Sequence, residues 1–186
     1  MSKFQFYWPE IEGVCVIEPQ MFGDERGGFM ETYNQQEFAE AGISNDFVQD
    51  NQSYSRKGVL RGLHFQKTHP QAKLVRVLRG KVFDAVVDLR ASSSTYGMWF
   101  GVTLSEDNRK QVFVPRGFAH GFKVLSDEAV IAYKCDDFYH PEDEGGLYWN
   151  DPEIGIPWPE LSDGADLILN KRDQSFPLLK DLDVKF

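Results

Sequence analysis

The chain has 186 residues, of which 41% are hydrophobic and 26% charged, a composition typical of a globular protein rather than a disordered or fibrous one. It carries 29 Asp and Glu against 20 Lys and Arg, which gives a formal charge of −9 at pH 7. This balance argues against general binding to nucleic acids or anionic membranes, although a basic pocket for a small anionic ligand is compatible with it.

The cysteines and the first residues indicate the compartment. Cys15 and Cys135 are too few for a disulfide framework, and neither lies in a Cys-x-x-Cys motif. The opening MSKFQFYWPEIEG lacks the basic and apolar regions of a signal peptide, and no stretch approaches the roughly 18 apolar residues of a membrane span. We therefore expect a cytoplasmic protein.

Short runs of β-branched and aromatic residues dominate the chain, and turn residues separate them. Strands are predicted over 14–18, 29–34, 47–55, 59–66, 73–78, 81–90, 96–104, 111–115, 121–125 and 129–135. A short helix is predicted over 35–41, where Gly42 would end it. The 16 glycines, 9 prolines and 14% aromatic residues suit many strands joined by tight turns. The pattern predicts an all-β sandwich or barrel, with residues 1–186 forming one domain.

The segment after His140, HPEDEGGLYWNDPEIGIPWP, is rich in Asp, Pro and Trp. Because proline cannot donate to a ladder of hydrogen bonds, this segment is poorly suited to a regular strand. We expect it to wrap around the barrel irregularly or to cross to a partner.

Alternation along the predicted strands indicates which side chains share a face. One face of strand 81–90 suits a core and consists of Phe83, Ala85, Val87 and Leu89. Tyr133 continues an apolar face of strand 129–135 and is expected to point inward. Lys73 continues an apolar face too, so it lies at the barrel mouth or takes part in chemistry. For the polar row of Gln49, Asn51 and Ser53, periodicity alone favours the solvent side.

Of the four histidines, His64 and His120 lie in predicted strand segments near glycines, whereas His69 and His140 precede prolines. The sequence PRGFAH, which ends at His120, matches the second short motif of cupins, which are small β-barrels. Metal-binding cupins supply His-x-His in their first motif, but residues 64–66 read His-Phe-Gln. Since an amide is a poor ligand for a transition metal, we do not expect a metal site.

A histidine, a lysine, a tyrosine and a carboxylate in one barrel suit proton abstraction next to a carbonyl group. A neutral histidine can remove the carbon-bound proton while a carboxylate fixes its tautomer. A lysine can stabilise the enolate oxygen, and a tyrosine can return a proton to the opposite face. Asp173 is a candidate for the carboxylate, although surface solvation is the commoner role of an aspartate in so acidic a chain.

Several longer motifs are more specific, among them FGDERGGFMET, FVQDNQSYS, GVLRGLHFQ, VPRGFAHGFKVLSD and LNKRD. With them the chain resembles the dTDP-4-dehydrorhamnose 3,5-epimerases over nearly its whole length. The resemblance implies a cupin-like double-stranded β-helix (jelly-roll barrel), a homodimer, and a reaction without metal or nicotinamide. It also implies a dTDP-4-keto-6-deoxyhexose substrate that is inverted at both carbons beside the ketone, in dTDP-rhamnose biosynthesis.

The resemblance assigns catalytic roles to four residues of this sequence. His64 matches the base, and Asp173 matches its carboxylate partner. Tyr133 matches the acid that protonates the other face, and Lys73 matches the group near the keto oxygen.

The resemblance also implies a set of substrate-binding residues. They are Arg26, Glu31, Gln49, Asn51, Arg61, Lys73, His120, Tyr139, Glu144 and Arg172. In the family the element that contains Arg26 and Glu31 reaches a nucleotide across the dimer, and the aromatic at Tyr139 stacks on thymine. The match moves the polar row of Gln49 and Asn51 from the solvent side to the pocket.

The chain departs from the family pattern in three places. Arg61 and His64 fall on opposite faces of a regular strand, so a bulge or a strand end must bring both to the pocket. The sequence LNKRD replaces the commoner Ser-x-Lys-Asp, which affects the role of Arg172 and not that of Asp173. The turn KTHPQAK differs among relatives, and we assign no role to His69.

Three other functions fit parts of the pattern. A relative could invert only one carbon or act on another dTDP-keto sugar, although the complete His64, Lys73, Tyr133 and Asp173 set favours both inversions. A metal-dependent cupin enzyme, such as a dioxygenase, would require activity-linked metal. A non-catalytic carbohydrate-binding jelly roll would keep its function without His64.

Overall fold

The computed structural model describes residues 2–161, 164–184 and 186. In chain order the strands are β1 Phe4–Tyr7, β2 Cys15–Pro19, β3 Met21–Asp24, β4 Gly27–Met30, β5 Gln49–Arg56, β6 Leu60–Gln66, β7 Lys73–Arg79, β8 Lys81–Asp88, β9 Trp99–Ser105, β10 Gln111–Val114, β11 Phe118–Val124, β12 Glu128–Cys135 and β13 Glu144–Gly146. The α-helix α1 covers Gln35–Glu40, and two 3₁₀ turns cover Pro141–Asp143 and Leu179–Asp181.

The strands form two antiparallel sheets and a separate hairpin. The larger sheet has the order β1-β2-β10-β7-β12-β5, and the smaller one has the order β13-β6-β11-β8-β9. Strands β3 and β4 pair only with each other within the described part of the chain. Because strands far apart in sequence are neighbours in both sheets, the topology is that of a jelly roll rather than a simple meander. This confirms the predicted all-β, cupin-like barrel.

The barrel interior is filled by apolar side chains from both sheets. Val75 and Ile131 from the larger sheet pack in one cluster with Val86, Phe118 and Phe122 from the smaller sheet. Tyr133 packs against the same cluster, which places it toward the interior as its alternation predicts. Burying these side chains supplies about 1.5–3 kcal/mol each, the main stabilising contribution to such a fold.

The strand β8 is buried on both faces, and the predicted core row is confirmed as buried. Its row that includes Phe83, Ala85 and Val87 packs beneath the C-terminal segment rather than inside the barrel. The opposite row, with Val82 and Val86, lines the interior. Alternation finds two faces on this strand but cannot tell them apart, because a second layer of chain hides the outer one from water.

The C-terminal segment supplies that second layer, as expected of an irregular wrap. Ile154, Ile156 and Trp158 pack on the outer face of the smaller sheet with Phe186. One short stretch departs from the expectation, because β13 adds a strand to the sheet edge beside β6. Its sequence, Glu-Gly-Gly, contains no proline and so can take part in the ladder.

The predicted helix is present and packs beside strand β1, at one edge of the larger sheet. The Asn34 side chain accepts a hydrogen bond from the backbone N–H of Glu37 at 3.1 Å and so caps the first turn. Phe38 is fully buried and packs edge-on against the rings of Phe4, Phe6 and Tyr33.

Strand boundaries follow the prediction in the middle of the chain and depart from it near the start. Strands β1 and β3 were not predicted, and β4 covers 27–30 instead of the predicted strand over 29–34. Residues 31–34 instead connect the hairpin to α1. Within the described residues, every helix is too short or too polar to cross a membrane.

Candidate active site

A cavity of about 320 Å³ opens between the two sheets at one end of the barrel. A neighbouring cavity of about 180 Å³ shares several of its walls. Together they are lined by ten of the predicted catalytic and substrate-binding residues, namely Gln49, Asn51, Arg61, His64, Lys73, His120, Tyr133, Tyr139, Glu144 and Arg172.

The centre of the site is a pair formed by His64 on β6 and Asp173 from the C-terminal segment. The His64 Nε2 lies 2.9 Å from Asp173 Oδ1, and the carboxylate is fully buried. The other oxygen, Oδ2, accepts the backbone N–H of Gly62 at 3.1 Å. With Nε2 donating to the carboxylate, Nδ1 is the basic nitrogen of the neutral ring.

The pKa of Asp173 is set by opposing influences. Burial raises it, but the hydrogen bond and charge of His64 and the N–H of Gly62 outweigh burial and hold the pKa below its usual value. Asp173 is therefore ionised at neutral pH, and it can stabilise an imidazolium on His64.

Strands β12 and β7 bring Tyr133 and Lys73 to the same cavity. Burial raises the pKa of Tyr133, so the phenol holds its proton at neutral pH and can act as an acid. Burial lowers the pKa of Lys73, and the negative charges of Asp84 and Glu144 counter that effect. Ammonium donors in a partly desolvated site are suited to an oxygen that gains negative charge.

A β-bulge places Arg61 and His64 on one face of β6, as their opposite parity requires. His64 is paired with His120 of β11, and Arg61 is paired with Phe122, with a register shift between the two pairs. Two residues of β6 therefore face only Gly121 of β11, which reverses the alternation. Arg61 donates from Nε to Ser55 Oγ at 3.0 Å, which holds its guanidinium at the rim.

The cavity mouth carries Tyr139, Glu144 and Arg172 in contact with one another. The Tyr139 hydroxyl donates to Glu144 Oε2 at 3.0 Å, and Arg172 forms an ion pair with the same carboxylate. The Tyr139 ring is about half exposed. Arg172 therefore lies at the cavity mouth beside Asp173, despite the departure of LNKRD from the family pattern.

The polar row of β5 faces the cavity. Gln49 donates from Nε2 to Asn51 Oδ1 at 3.0 Å, and its Oε1 accepts the backbone N–H of Tyr139 at 3.0 Å. Both side chains line the larger cavity, whereas periodicity alone favours the solvent side. The inward position follows from the pairing of β5 with β12, whose residue opposite Asn51 is Tyr133.

Arg26 and Glu31 lie outside the cavity within one chain. Arg26 forms an ion pair with Asp24 at the tip of the β3–β4 hairpin, and its side chain is 83% exposed. Glu31 pairs instead with Lys3 and Asn34.

The sequence reading missed Asp84 as a site residue. This aspartate is only 1% exposed, and its two carboxylate oxygens lie 3.0 and 2.9 Å from His120 Nε2. A signal was available, because Asp84 alternates with Val82 and Val86 on an otherwise apolar face. A carboxylate in such a row is rarely buried without a partner.

The site contains several potential metal-ligating side chains, among them His64, His120 and Glu144. No group of three or more His, Cys, Asp or Glu side chains among the described residues is arranged to hold a metal ion. The Gln66 side chain, at the position of the second cupin histidine, is engaged with backbone groups instead.

Comparison with known proteins decides the family. The model of the dTDP-4-dehydrorhamnose 3,5-epimerase family matches residues 9–181. The chain belongs to this family. The predicted isomerase class is thereby confirmed.

Individual relatives support the same assignment. The dTDP-4-dehydrorhamnose 3,5-epimerase of Methanothermobacter thermautotrophicus is 53% identical over 182 residues, which is 97% of each chain. The crystal structure of the dTDP-6-deoxy-D-glucose-3,5-epimerase of Legionella pneumophila, in complex with dTDP-4-keto-L-rhamnose, matches with a TM-score of 0.92 and 47% identity over 97% of this chain and 95% of that one.

One relative within the same range bears a narrower name. The dTDP-4-dehydrorhamnose 3-epimerase of Streptomyces niveus is 44% identical over 173 residues, covering 92% of this chain and 82% of its own. Relatives of this chain are therefore named for one inversion as well as for two.

Proposed function

We propose that the protein converts dTDP-4-dehydro-6-deoxyglucose to dTDP-4-dehydro-L-rhamnose, inverting carbons 3 and 5 in dTDP-rhamnose biosynthesis. The observation that carries the proposal is the buried His64–Asp173 pair in a cavity that also holds Tyr133 and Lys73. Such a set supplies a base, an acid and an oxyanion donor, which together are what epimerisation beside a ketone requires.

The first step is removal of a proton from a carbon next to the 4-keto group. His64 takes the proton on its free ring nitrogen, and the electron pair of the broken C–H bond moves onto the keto oxygen as an enolate. Asp173 stabilises the imidazolium that forms, because its carboxylate lies 2.9 Å from the opposite nitrogen. A positioned base of this kind contributes about 10²–10⁴-fold to the rate.

The second step is protonation of the enolate carbon from the opposite face. Tyr133 gives up its phenolic proton, which its raised pKa keeps in place until the enolate forms. Lys73 donates to the keto oxygen while that oxygen is negative. Return of the proton from His64 to Tyr133 through solvent completes the cycle, so no net proton is gained or lost.

The mouth of the cavity suits the nucleotide end of the substrate. Arg61 and Arg172 offer charge-assisted hydrogen bonds to a diphosphate. Tyr139 offers a half-exposed ring face on which a pyrimidine base can stack. The net negative charge of the whole chain does not oppose this binding, since the cavity gathers several of its cations.

The single-carbon alternative has a specific basis in the Streptomyces niveus 3-epimerase, a relative at 44% identity. Both reactions need the same base and acid, so the four catalytic residues alone do not separate them. We favour inversion at two carbons because the more similar Methanothermobacter relative is named for positions 3 and 5.

We further propose that the working protein is a homodimer in the cytoplasm. Support comes from the β3–β4 hairpin, which carries Arg26 away from the cavity of its own chain and exposes Phe22 and Phe29. A second copy would cover these rings and receive Arg26 at its nucleotide site. The free, buried thiols of Cys15 and Cys135 suit a reducing compartment.

Loss of the base tests the catalytic proposal. His64→Asn should lower kcat by about 10²–10⁴-fold and leave the affinity for dTDP nearly unchanged, because the ring acts on the sugar carbon and not on the nucleotide. Steady-state conversion and calorimetric titration with dTDP measure the two quantities. Turnover equal to that of the unmodified protein would contradict a catalytic role and favour a binding function.

A further inference from the structure

Gln66 ends strand β6 two residues after His64, and it is only 4% exposed. Its amide group is fully occupied by main-chain partners. Nε2 donates to the carbonyl oxygen of His69 at 2.7 Å and to that of Phe138 at 3.1 Å, and Oε1 accepts the backbone N–H of His140 at 2.7 Å. One side chain therefore binds two separate loops.

Two of these bonds flank Tyr139 directly. The Phe138 carbonyl precedes Tyr139 and the His140 N–H follows it, while the Tyr139 N–H is bound by Gln49 at 3.0 Å. This segment lies in irregular chain between β12 and β13, where no sheet ladder fixes the backbone. Side-chain hydrogen bonds thus hold the main chain on both sides of a half-exposed ring.

The third hydrogen bond, from Gln66 Nε2 to the carbonyl oxygen of His69, connects residues 138–140 to the β6–β7 loop at the cavity mouth. The loop is itself ordered, because Asp143 accepts the backbone N–H groups of Thr68 and His69. The His69 ring also stacks on His140 with the ring centres 4.2 Å apart. The buried Gln66 side chain therefore connects the β6–β7 loop to residues 138–140 through its hydrogen bonds.

We propose that Gln66 is a positioning residue that holds the Tyr139 ring in place for the nucleotide base. The inference rests on the proposed function, which assigns Tyr139 to base stacking. Gln66 acts through the backbone of residues 138–140 and takes no part in proton transfer. A glutamine suits this task because only an amide offers two donors and one acceptor at one site.

Replacement by methionine keeps the length of the side chain and removes all three hydrogen bonds. For Gln66→Met we expect the Kd for dTDP and the KM to rise about five- to tenfold, a fraction of what a lost base stack costs. The kcat should stay within about twofold, because the His64–Asp173 pair is untouched. Hydrogen exchange at the His140 amide should become faster.

A matched control is available in the turn between β9 and β10. The Asn108 amide also makes three main-chain hydrogen bonds, donating to Thr103 O and accepting the N–H groups of Ser105 and Lys110. Asn108→Leu should lower stability and leave the dTDP affinity unchanged. An equal loss of affinity in both variants would mean that general loosening explains the effect, which would overturn the inference.

Gln66→Glu gives a second test and carries the conclusion if the methionine variant does not fold. In Gln66→Glu the ionised carboxylate has no donor for the carbonyl oxygens of His69 and Phe138. The protonated carboxylic acid has one O–H donor and can restore one of these two hydrogen bonds. The dTDP affinity of Gln66→Glu, relative to that of the unmodified protein, should therefore improve as the pH falls from 8 to about 5. A ratio that is independent of pH would contradict the inference.

Tyr139→Ala separates this inference from the proposed function. If Tyr139→Ala binds dTDP as tightly as the unmodified protein, the proposed stacking role fails. If Tyr139→Ala weakens binding and Gln66→Met does not, stacking stands and the positioning role of Gln66 is overturned. Weakening in both, with faster exchange at His140 only in the Gln66 variants, supports both.

Discussion

His64 and His120 face each other across β6 and β11, and each has its own buried carboxylate. Asp173 comes from the C-terminal segment, and Asp84 comes from the neighbouring strand β8. The cavity wall therefore contains two separate histidine–carboxylate pairs. The Asp173 carboxylate also accepts the backbone N–H of Gly62, which holds it in place.

The division of labour between base and acid gives a prediction at Tyr133. Tyr133→Phe removes the proton donor and leaves the His64–Asp173 pair intact, so deprotonation should persist while inversion fails. In deuterated water we expect the variant to exchange a substrate carbon-bound proton at a rate at least tenfold above its rate of epimerisation, since acid catalysis contributes about 10²–10⁴-fold. NMR measures both rates. Parallel loss of exchange and inversion would contradict separate roles.

The longer sequence motifs predicted more of the site residues than strand periodicity alone could. The motifs led to His64, Lys73 and Tyr133 lining the cavity, and to Asp173 as the partner of His64. The sequence analysis missed Asp84 and the main-chain hydrogen bonds of Gln66. Both depend on which strand or loop packs beside the residue in the folded chain. Strand pairing between distant segments is not encoded in local spacing.

The bulge in β6 is the element that makes the site possible. Gly62 has a φ of +125°, and a Cβ there would lie 2.6 Å from the Cα of Gly121. Arg61 and His64 reach the same face only because this close approach is open to glycine.

Gly62→Ala should therefore destabilise the protein by more than its backbone conformation alone explains. Gly27 is a matched control, because its φ is +126° but nothing lies within 4 Å of a Cβ built there. We expect Gly27→Ala to cost about 1–2 kcal/mol and Gly62→Ala at least about 2 kcal/mol more, measured by urea unfolding. Equal losses would show that the contact with Gly121 is easily relieved.

The β6–β7 loop supplies a pH-dependent prediction through Asp143. Burial raises the pKa of this carboxyl, but hydrogen bonds from Thr68 and His69 outweigh burial and bring it from 3.8 to about 2. Because the folded pKa lies below the unfolded one, the stabilisation is complete above about pH 5 and is lost as the pH falls toward 2. Asp143→Asn should thus be less stable than the unmodified protein at pH 6, with the gap narrowing from pH 5 to pH 3.

Urea midpoints across this pH range measure that gap. A difference that stays constant from pH 6 to pH 3 would mean that the Asp143 charge does not hold the loop.

The elements themselves were predictable where one face is buried and the other exposed. Helix α1 follows its pattern closely, because it buries Phe38 and exposes the opposite side. On strand β8 the predicted core row is buried under the C-terminal segment, and alternation alone did not reveal that the opposite row is buried too. The glycine-rich hairpin β3–β4 was missed for the opposite reason, since its exposed residues show no apolar alternation.

On the scale of the whole molecule, the C-terminal segment packs directly on the barrel. Phe186 packs on Phe65 of β6, and Trp158 packs on Phe83 of β8. The same segment delivers Asp173 to the cavity. We therefore propose that residues 1–186 act as one epimerase domain, and that removing the C-terminal segment would remove the partner of the base.

The proposed dimer predicts a particular behaviour of Arg26. Arg26→Ala should raise the Kd for dTDP about 10- to 150-fold, because a charge-assisted phosphate contact contributes about 1.5–3 kcal/mol, and should leave the mass of the dimer unchanged. Arg79→Ala removes another largely exposed arginine, which pairs with Glu128, and should not change the affinity. Calorimetry and light scattering measure the two properties. A monomeric or unfolded Arg26 variant would indicate a structural role.

The most direct measurement is incubation of the protein with dTDP-4-keto-6-deoxyglucose in deuterated water, followed by NMR. The proposed mechanism predicts incorporation of deuterium at both carbons 3 and 5, with inversion at each and the dTDP-4-keto-L-rhamnose configuration as product. The same incubation with His64→Asn should show exchange and inversion slowed by about 10²–10⁴-fold. Exchange confined to one carbon, or turnover of His64→Asn at the rate of the unmodified protein, would contradict the account.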